Sequence, residues 1–61
     1  MIDNDILGLL EEDAVMVLNS FSVPYRIVCR DTERYIVTMD FRIERLNLTL
    51  ENGVVTRVTR G

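Results

Sequence analysis

The chain has 61 residues, a formal net charge of −3 and a hydrophobic fraction of 48%, which allows a single domain (1–61) and argues against disorder. Its only cysteine, Cys29, and its lack of histidine exclude an intrachain disulfide and leave no zinc-ligand spacing. The negative charge gives no field for nonspecific nucleic-acid binding, and no apolar run approaches the roughly 20 residues that span a bilayer.

The N-terminal residues suggest where the protein acts. Asp3 and Asp5 make this end of the chain acidic, whereas a secretory signal begins with basic residues. An unpaired cysteine is also typical of a reducing compartment. We therefore expect a cytoplasmic protein that uses no cofactor or metal and binds no membrane.

The first half of the chain predicts one helix. Apolar residues recur at steps of three or four, and the best-formed part covers residues 10–21. The acidic run Glu11–Asp13 favours a helix start there, because carboxylates stabilise the positive end of a helix. Gly8 indicates a break before it, so residues 1–9 are expected to be a loose segment. Pro24 prevents the helix from continuing.

Three segments after the helix have strand character. Residues 25–29 and 43–50 alternate with period two, and residues 54–58 are rich in β-branched side chains. Asn52 and Gly53 supply the positive φ angles of a tight hairpin between the last two strands. The order predicts an α+β fold, in which one helix packs on a small three-stranded mixed sheet with a long exposed loop between strands 1 and 2.

The core is expected to combine the inner face of the helix with alternate strand positions. The predicted buried residues are Leu10, Ala14, Val17, Leu18, Ile27, Cys29, Leu46, Leu48 and Val58.

The second half of the long loop carries a run that is unusual for an exposed segment. It reads VTMDFRIER over residues 37–45, with apolar Val37, Met39 and Phe41 between polar residues. In residue types, order and position in the fold, this run resembles the reactive loop of the potato inhibitor I family of serine-protease inhibitors. It is more similar still to a related bacterial peptidase-inhibitor family, in which the segment continues Arg-Leu-Asn, as it does here. The resemblance extends over residues 11–61.

The resemblance implies a substrate-like inhibitor that enters a protease cleft through the exposed loop Ile36–Arg42. Met39 would fill the primary specificity pocket of a subtilisin-like or chymotrypsin-like protease, and the bond from Met39 to Asp40 would be the scissile bond. The protease-binding residues would be Val37, Thr38, Met39, Asp40, Phe41 and Arg42.

In these families, arginines beneath the loop hold the residues that flank the scissile bond. The resemblance assigns this role to Arg45, which would pair with Asp40 and contact Thr38. It assigns weaker support to Asn47, which stands where a relative has a second arginine. A loop that is already held in its bound shape loses little entropy on binding. The chain lacks the cysteine pair and export signal of secreted relatives, so its target would be an internal protease, or the fold serves another use.

The composition leaves a second function open. All seven basic residues are arginines, whose planar guanidinium pairs bidentately with phosphates, and tyrosines can stack on bases. A homo-oligomer could sequester a phosphate-containing ligand, such as a cyclic nucleotide signal, between its subunits, as a viral anti-defence protein would. The candidate residues are Arg26, Arg34, Arg42, Arg57, Tyr25 and Tyr35. A third alternative is a regulator that only binds another protein.

Enzymatic activity is not expected. Cys29 has no histidine to act as its base. The acidic run Glu11–Asp13 is better explained as charge at a helix start than as a catalytic acid pair, because such a pair needs a cleft around its substrate.

Overall fold

A computed structural model of the protein describes residues 2–36 and 39–61. These residues contain two helices and four strands. In chain order they are α1 (Ile2–Ile6), α2 (Glu11–Ser20), β1 (Tyr25–Arg30), β2 (Glu33–Arg34), β3 (Leu46–Glu51) and β4 (Val54–Arg60). The α+β class is confirmed. The prediction of one helix and three strands was wrong by one of each, because it omitted α1 and the two-residue strand β2.

The strands form one mixed sheet in the order β2-β1-β3-β4. β1 and β3 are parallel, whereas the two outer pairs are antiparallel. A parallel pair cannot be joined by a tight hairpin, so the segment between β1 and β3 has to be long. By contrast, Asn52 and Gly53 join β3 to β4 with φ angles of 54° and 78°, which confirms the predicted Asn-Gly hairpin.

Helix α2 begins and ends by different means. Leu10 precedes it in an extended conformation, and the first turn is acidic, as expected near the positive end of a helix. After the last turn, Ser22 adopts a positive φ of 54°, and the Val23 N–H donates to the Leu18 carbonyl at 2.9 Å. This left-handed cap ends the helix before Pro24.

The core lies between the helices and one face of the sheet. Of the side chains that the structure describes, seven are buried there: Ile6, Ala14, Leu18, Leu46, Leu48, Leu50 and Val55. Of the predicted core, Ala14, Leu18, Leu46 and Leu48 are confirmed as buried, whereas Val17, Ile27 and Val58 are half-buried at its margin.

Two of the predicted core residues were wrongly placed. Leu10 is 49% exposed, because it lies outside α2 and pairs with Val54 as an isolated bridge. Cys29 is only half-buried, because the register of β1 shifts between Ile27 and Cys29 and breaks the period-two alternation.

Residues 2–9, which the sequence predicts to be a loose segment, contain helix α1 and contact the rest of the domain. Helix α1 buries Ile6 completely, and its Asp3 carboxylate accepts two hydrogen bonds from Arg60, at 2.6 and 3.1 Å. Just after it, the Gly8 N–H donates to the Val55 carbonyl at 2.8 Å. Tertiary contacts therefore hold a helix that is too short to be stable alone. Within the described residues, neither helix is long and apolar enough to cross a membrane.

Candidate functional site

The segment between β2 and β3 exposes several large apolar side chains. Met39 is 97% exposed and Phe41 70%, while Ile36 is fully exposed and Ile43 is 62% exposed. Scattered apolar residues on a surface need no explanation, but several within one short segment indicate a binding surface. Of the predicted protease-binding residues, Val37 and Thr38 lie outside the described residues.

The side chain of Arg45 contacts Asp40 of this segment. Its side chain is only 12% exposed. One guanidinium nitrogen, Nη2, donates to the Asp40 carbonyl oxygen at 2.8 Å, and Nη1 lies 3.6 Å from a carboxylate oxygen of Asp40. The arginine therefore contacts the residue that would follow the scissile bond, through both its backbone and its side chain.

The same guanidinium is fixed in turn by Gly61. Arg45 donates to the Gly61 carbonyl oxygen from Nε at 3.2 Å and from Nη2 at 2.8 Å. Arg26 donates to the same oxygen from its Nη2 at 3.2 Å. The Gly61 N–H donates to the Arg45 carbonyl at 3.1 Å. Two arginines thus converge on one buried glycine, and we call Arg26, Arg45 and Gly61 the Gly61 clamp.

Only glycine suits this position. Gly61 has a φ of +149°, a conformation that other residues rarely adopt. A Cβ atom there would lie 3.3 Å from the Asn47 amide nitrogen and 3.4 Å from the Phe41 ring. The ring of Phe41 therefore lies close to Gly61, which follows the end of β4.

Among the described residues, Asn47 contacts the Gly61 clamp. Its Oδ1 accepts a hydrogen bond from Arg26 Nε at 2.7 Å, so it orients the guanidinium that reaches Gly61. The family resemblance assigns Asn47 weaker loop support, at a position where a relative has an arginine. In the structure, Arg26 on β1 is the second arginine at this site.

Two backbone carbonyl groups in the last part of the loop accept hydrogen bonds from arginines. The Arg45 N–H donates to the Arg42 carbonyl at 3.0 Å, and Arg60 Nη1 donates to the Ile43 carbonyl at 3.0 Å. Arg42 Nε donates to Glu44 Oε1 at 3.1 Å. Hydrogen bonding to its own backbone N–H, and then to Arg42, lowers the pKa of Glu44 below its usual value.

The residues proposed for phosphate binding separate into two groups. Arg34, Tyr35 and Arg57 line one concave region on the outer face of the sheet. The others lie elsewhere: Arg26 belongs to the Gly61 clamp, Arg42 pairs with Glu44, and Tyr25 packs against the core.

The acidic residues at the start of α2 do not form a catalytic pair. Glu11 makes a bidentate ion pair with Arg30 at the end of β1, with one oxygen-to-nitrogen distance of 2.8 Å. Hydrogen bonding from Arg30 lowers the pKa of Glu11, and the same contact raises the pKa of Arg30. Within the described residues, no group of three or more histidine, cysteine or acidic side chains could hold a metal ion.

Sequence reasoning missed the role of Gly61 and the partners of Arg26 and Arg60. A terminal glycine carries no side-chain signal, and these arginines are distant in sequence from the groups they bind. No protein-family model matches the chain, and no curated protein matches it.

Proposed function

We propose that the protein is a substrate-like inhibitor of serine proteases that presents Met39 to the primary specificity pocket. The observation that carries this proposal is the combination of an almost fully exposed Met39 with a half-buried arginine, Arg45, that binds the next residue, Asp40. An exposed apolar side chain can enter a pocket, while a held backbone resists the motion that cleavage requires.

The rigidity of the loop is the feature that separates an inhibitor from a substrate. Arg45 reaches Asp40 on one side and Gly61 on the other, so the loop is tied to the end of β4. A loop held in this way loses less conformational entropy on binding than a free peptide does. It also keeps the two halves of a cut bond in place, which favours resealing over release.

The target class follows from the shape of the presented side chain. Methionine is long and apolar, which suits the apolar pockets of subtilisin-like and chymotrypsin-like proteases and not the acidic pocket of trypsin. We further propose a cytoplasmic location, which the free thiol of Cys29 supports. The target would then be an intracellular protease.

A titration against the three protease types tests the proposal. We expect inhibition of the subtilisin-like and chymotrypsin-like enzymes, a weakening by a few kcal/mol in Met39→Gly, as for central anchor residues, and a shift towards trypsin in Met39→Arg. Met16→Gly is the matched control, because Met16 is 65% exposed and lies on α2 and not in the loop. If this variant is folded, it should inhibit as strongly as the wild type does. Equal loss of inhibition in folded Met16 and Met39 variants, or no inhibition by the wild type, would refute the proposal.

A further inference from the structure

The outer face of the sheet, opposite the helices, carries a trough with positively charged rims. It has a volume of about 380 Å³. The residues that matter for its chemistry are Cys29, Arg34, Tyr35, Thr49, Arg57 and Thr59.

Strand register explains why a trough forms there. Arg34 on β2 is the partner of Cys29 on β1, Cys29 is the partner of Thr49 on β3, and Thr49 is the partner of Arg57 on β4. These four residues therefore form one row across all four strands. Two long side chains stand at the ends of the row and two short ones lie at its centre.

The geometry allows both arginines to reach one ligand. Three interstrand spacings of about 4.8 Å put Arg34 and Arg57 roughly 14 Å apart across the sheet. Half of that span is within reach of an extended arginine side chain. An anion above Cys29 and Thr49 would therefore meet a guanidinium from each side.

In the described part of the chain, no acidic side chain pairs with these two arginines. Five of the seven arginines have hydrogen-bond partners in the structure, which are described above. Within residues 2–36 and 39–61, the side chains of Arg34 and Arg57 form no hydrogen bond or ion pair, and the trough is lined by no acidic side chain. The two arginines whose side chains have no partner among the described residues are thus the two that face each other across the trough.

We propose that this trough binds a small phosphate ester, with Arg34 and Arg57 gripping the phosphate and an aromatic ring of the ligand stacked on Tyr35. Arginine pairs bidentately with phosphate oxygens, and the hydroxyls of Thr49 and Thr59 add uncharged donors. Tyr35 follows Arg34 directly and is 37% exposed, so its ring is open to stacking. The site is formed within one chain, and it does not depend on the protease-inhibitor proposal.

Calorimetry with three probes tests the site at constant ionic strength: inorganic phosphate, ribose 5-phosphate and adenosine 5′-monophosphate. We expect saturable binding of all three at millimolar concentrations or below, and the tightest binding for the nucleotide. Arg34→Gln and Arg57→Gln should each weaken binding by about tenfold or more, since each removes charged hydrogen bonds. Arg42→Gln, which loses the same charge outside the trough, should bind as the wild type does.

The single cysteine locates the ligand. Cys29 lies at the centre of the trough, so bound phosphate ester should slow its alkylation by iodoacetamide, a neutral reagent that does not compete for the arginines. Absence of saturable binding, or equal weakening by Arg42→Gln and Arg57→Gln, would overturn the site. Equal affinity for all three probes would overturn the stacked ring. Circular dichroism checks that each variant is folded.

Discussion

Truncation of Arg45 to alanine tests how the loop is held. The side chain makes one hydrogen bond to the Asp40 carbonyl and two to the Gly61 carbonyl, at 2.8 to 3.2 Å. A hydrogen bond from a charged donor contributes about 1.5–3 kcal/mol. The Asp40 carboxylate is 55% exposed and 3.6 Å away, so this ion pair adds at most about 1 kcal/mol.

The truncation leaves no buried group without a partner, which limits its effect. Gly61 keeps the hydrogen bond from Arg26 at 3.2 Å, and the Asp40 carbonyl can turn to water because Asp40 is exposed. We therefore expect Arg45→Ala to lower the free energy of unfolding by about 2–4 kcal/mol. Loss of the Asp40 bond alone, at about 1.5 kcal/mol, should speed cleavage between Met39 and Asp40 about tenfold.

Two assays separate these effects. Urea unfolding measures the loss of stability, and mass spectrometry after incubation with a chymotrypsin-like protease measures the rate of cleavage. Arg42→Ala is the matched control, because that arginine is exposed, lies in the same loop and, among the described residues, pairs by its side chain only with Glu44. The unfolding free energy of this variant should differ from that of the wild type by less than about 1 kcal/mol. If Arg45→Ala unfolds and is cleaved as the wild type is, the hydrogen bonds described here do not hold the loop.

Three further predictions concern stability. Leu48→Ala removes a fully buried side chain and should cost about 2–5 kcal/mol, so an unchanged urea midpoint would contradict its place in the core. Gly61→Ala forces a Cβ to 3.3 Å from Asn47 Nδ2 at a φ of +149° and should cost about 1–3 kcal/mol, seen as a lower melting temperature. Arg30 lowers the pKa of Glu11 below 4.5, so their ion pair stabilises the fold above pH 4.5 and this contribution is lost as the pH falls through the folded pKa. The difference in unfolding free energy between the wild type and Glu11→Gln should therefore shrink in acid, and a constant difference would refute the assignment.

The parts of the fold that sequence reasoning predicted are those with local signals. The acidic start of α2 and the Asn52-Gly53 turn each depend on residues close together in the chain, so propensity and backbone geometry decide them. Leu46 and Leu48 were placed correctly because β3 keeps strict alternation up to its register shift near Leu50. In such segments, tertiary contacts agree with the local pattern.

The parts that were missed depend on contacts between distant residues. Helix α1 has five residues, fewer than an isolated helix needs, and it forms because Ile6 enters the core and Asp3 meets Arg60. Strand β2 exists only through its pairing with the end of β1. Cys29 is less buried than predicted because the register of β1 shifts between Ile27 and Cys29, and the composition of β1 does not reveal this shift. None of these features has a period or motif that the sequence could display.

For the candidate loop, too, the features with a local signal could be predicted, and those that depend on distant residues could not. Its exposure could be predicted, since a long connection is required between parallel strands, and its apolar run could be read directly. The clamp beneath it could not, because Gly61 carries no side chain and Arg26 lies on a separate strand.

The Gly61 clamp explains how a chain without a disulfide can restrain an exposed loop. A crosslink stabilises by joining two distant parts of the chain, and the Arg45 guanidinium does this between Asp40 and Gly61 with hydrogen bonds from Nε and Nη2. These bonds are stronger where Arg45 is shielded from water, and its side chain is only 12% exposed. The Phe41 ring of the loop also lies close to Gly61, so we expect the shape of the loop and the clamp to be lost together.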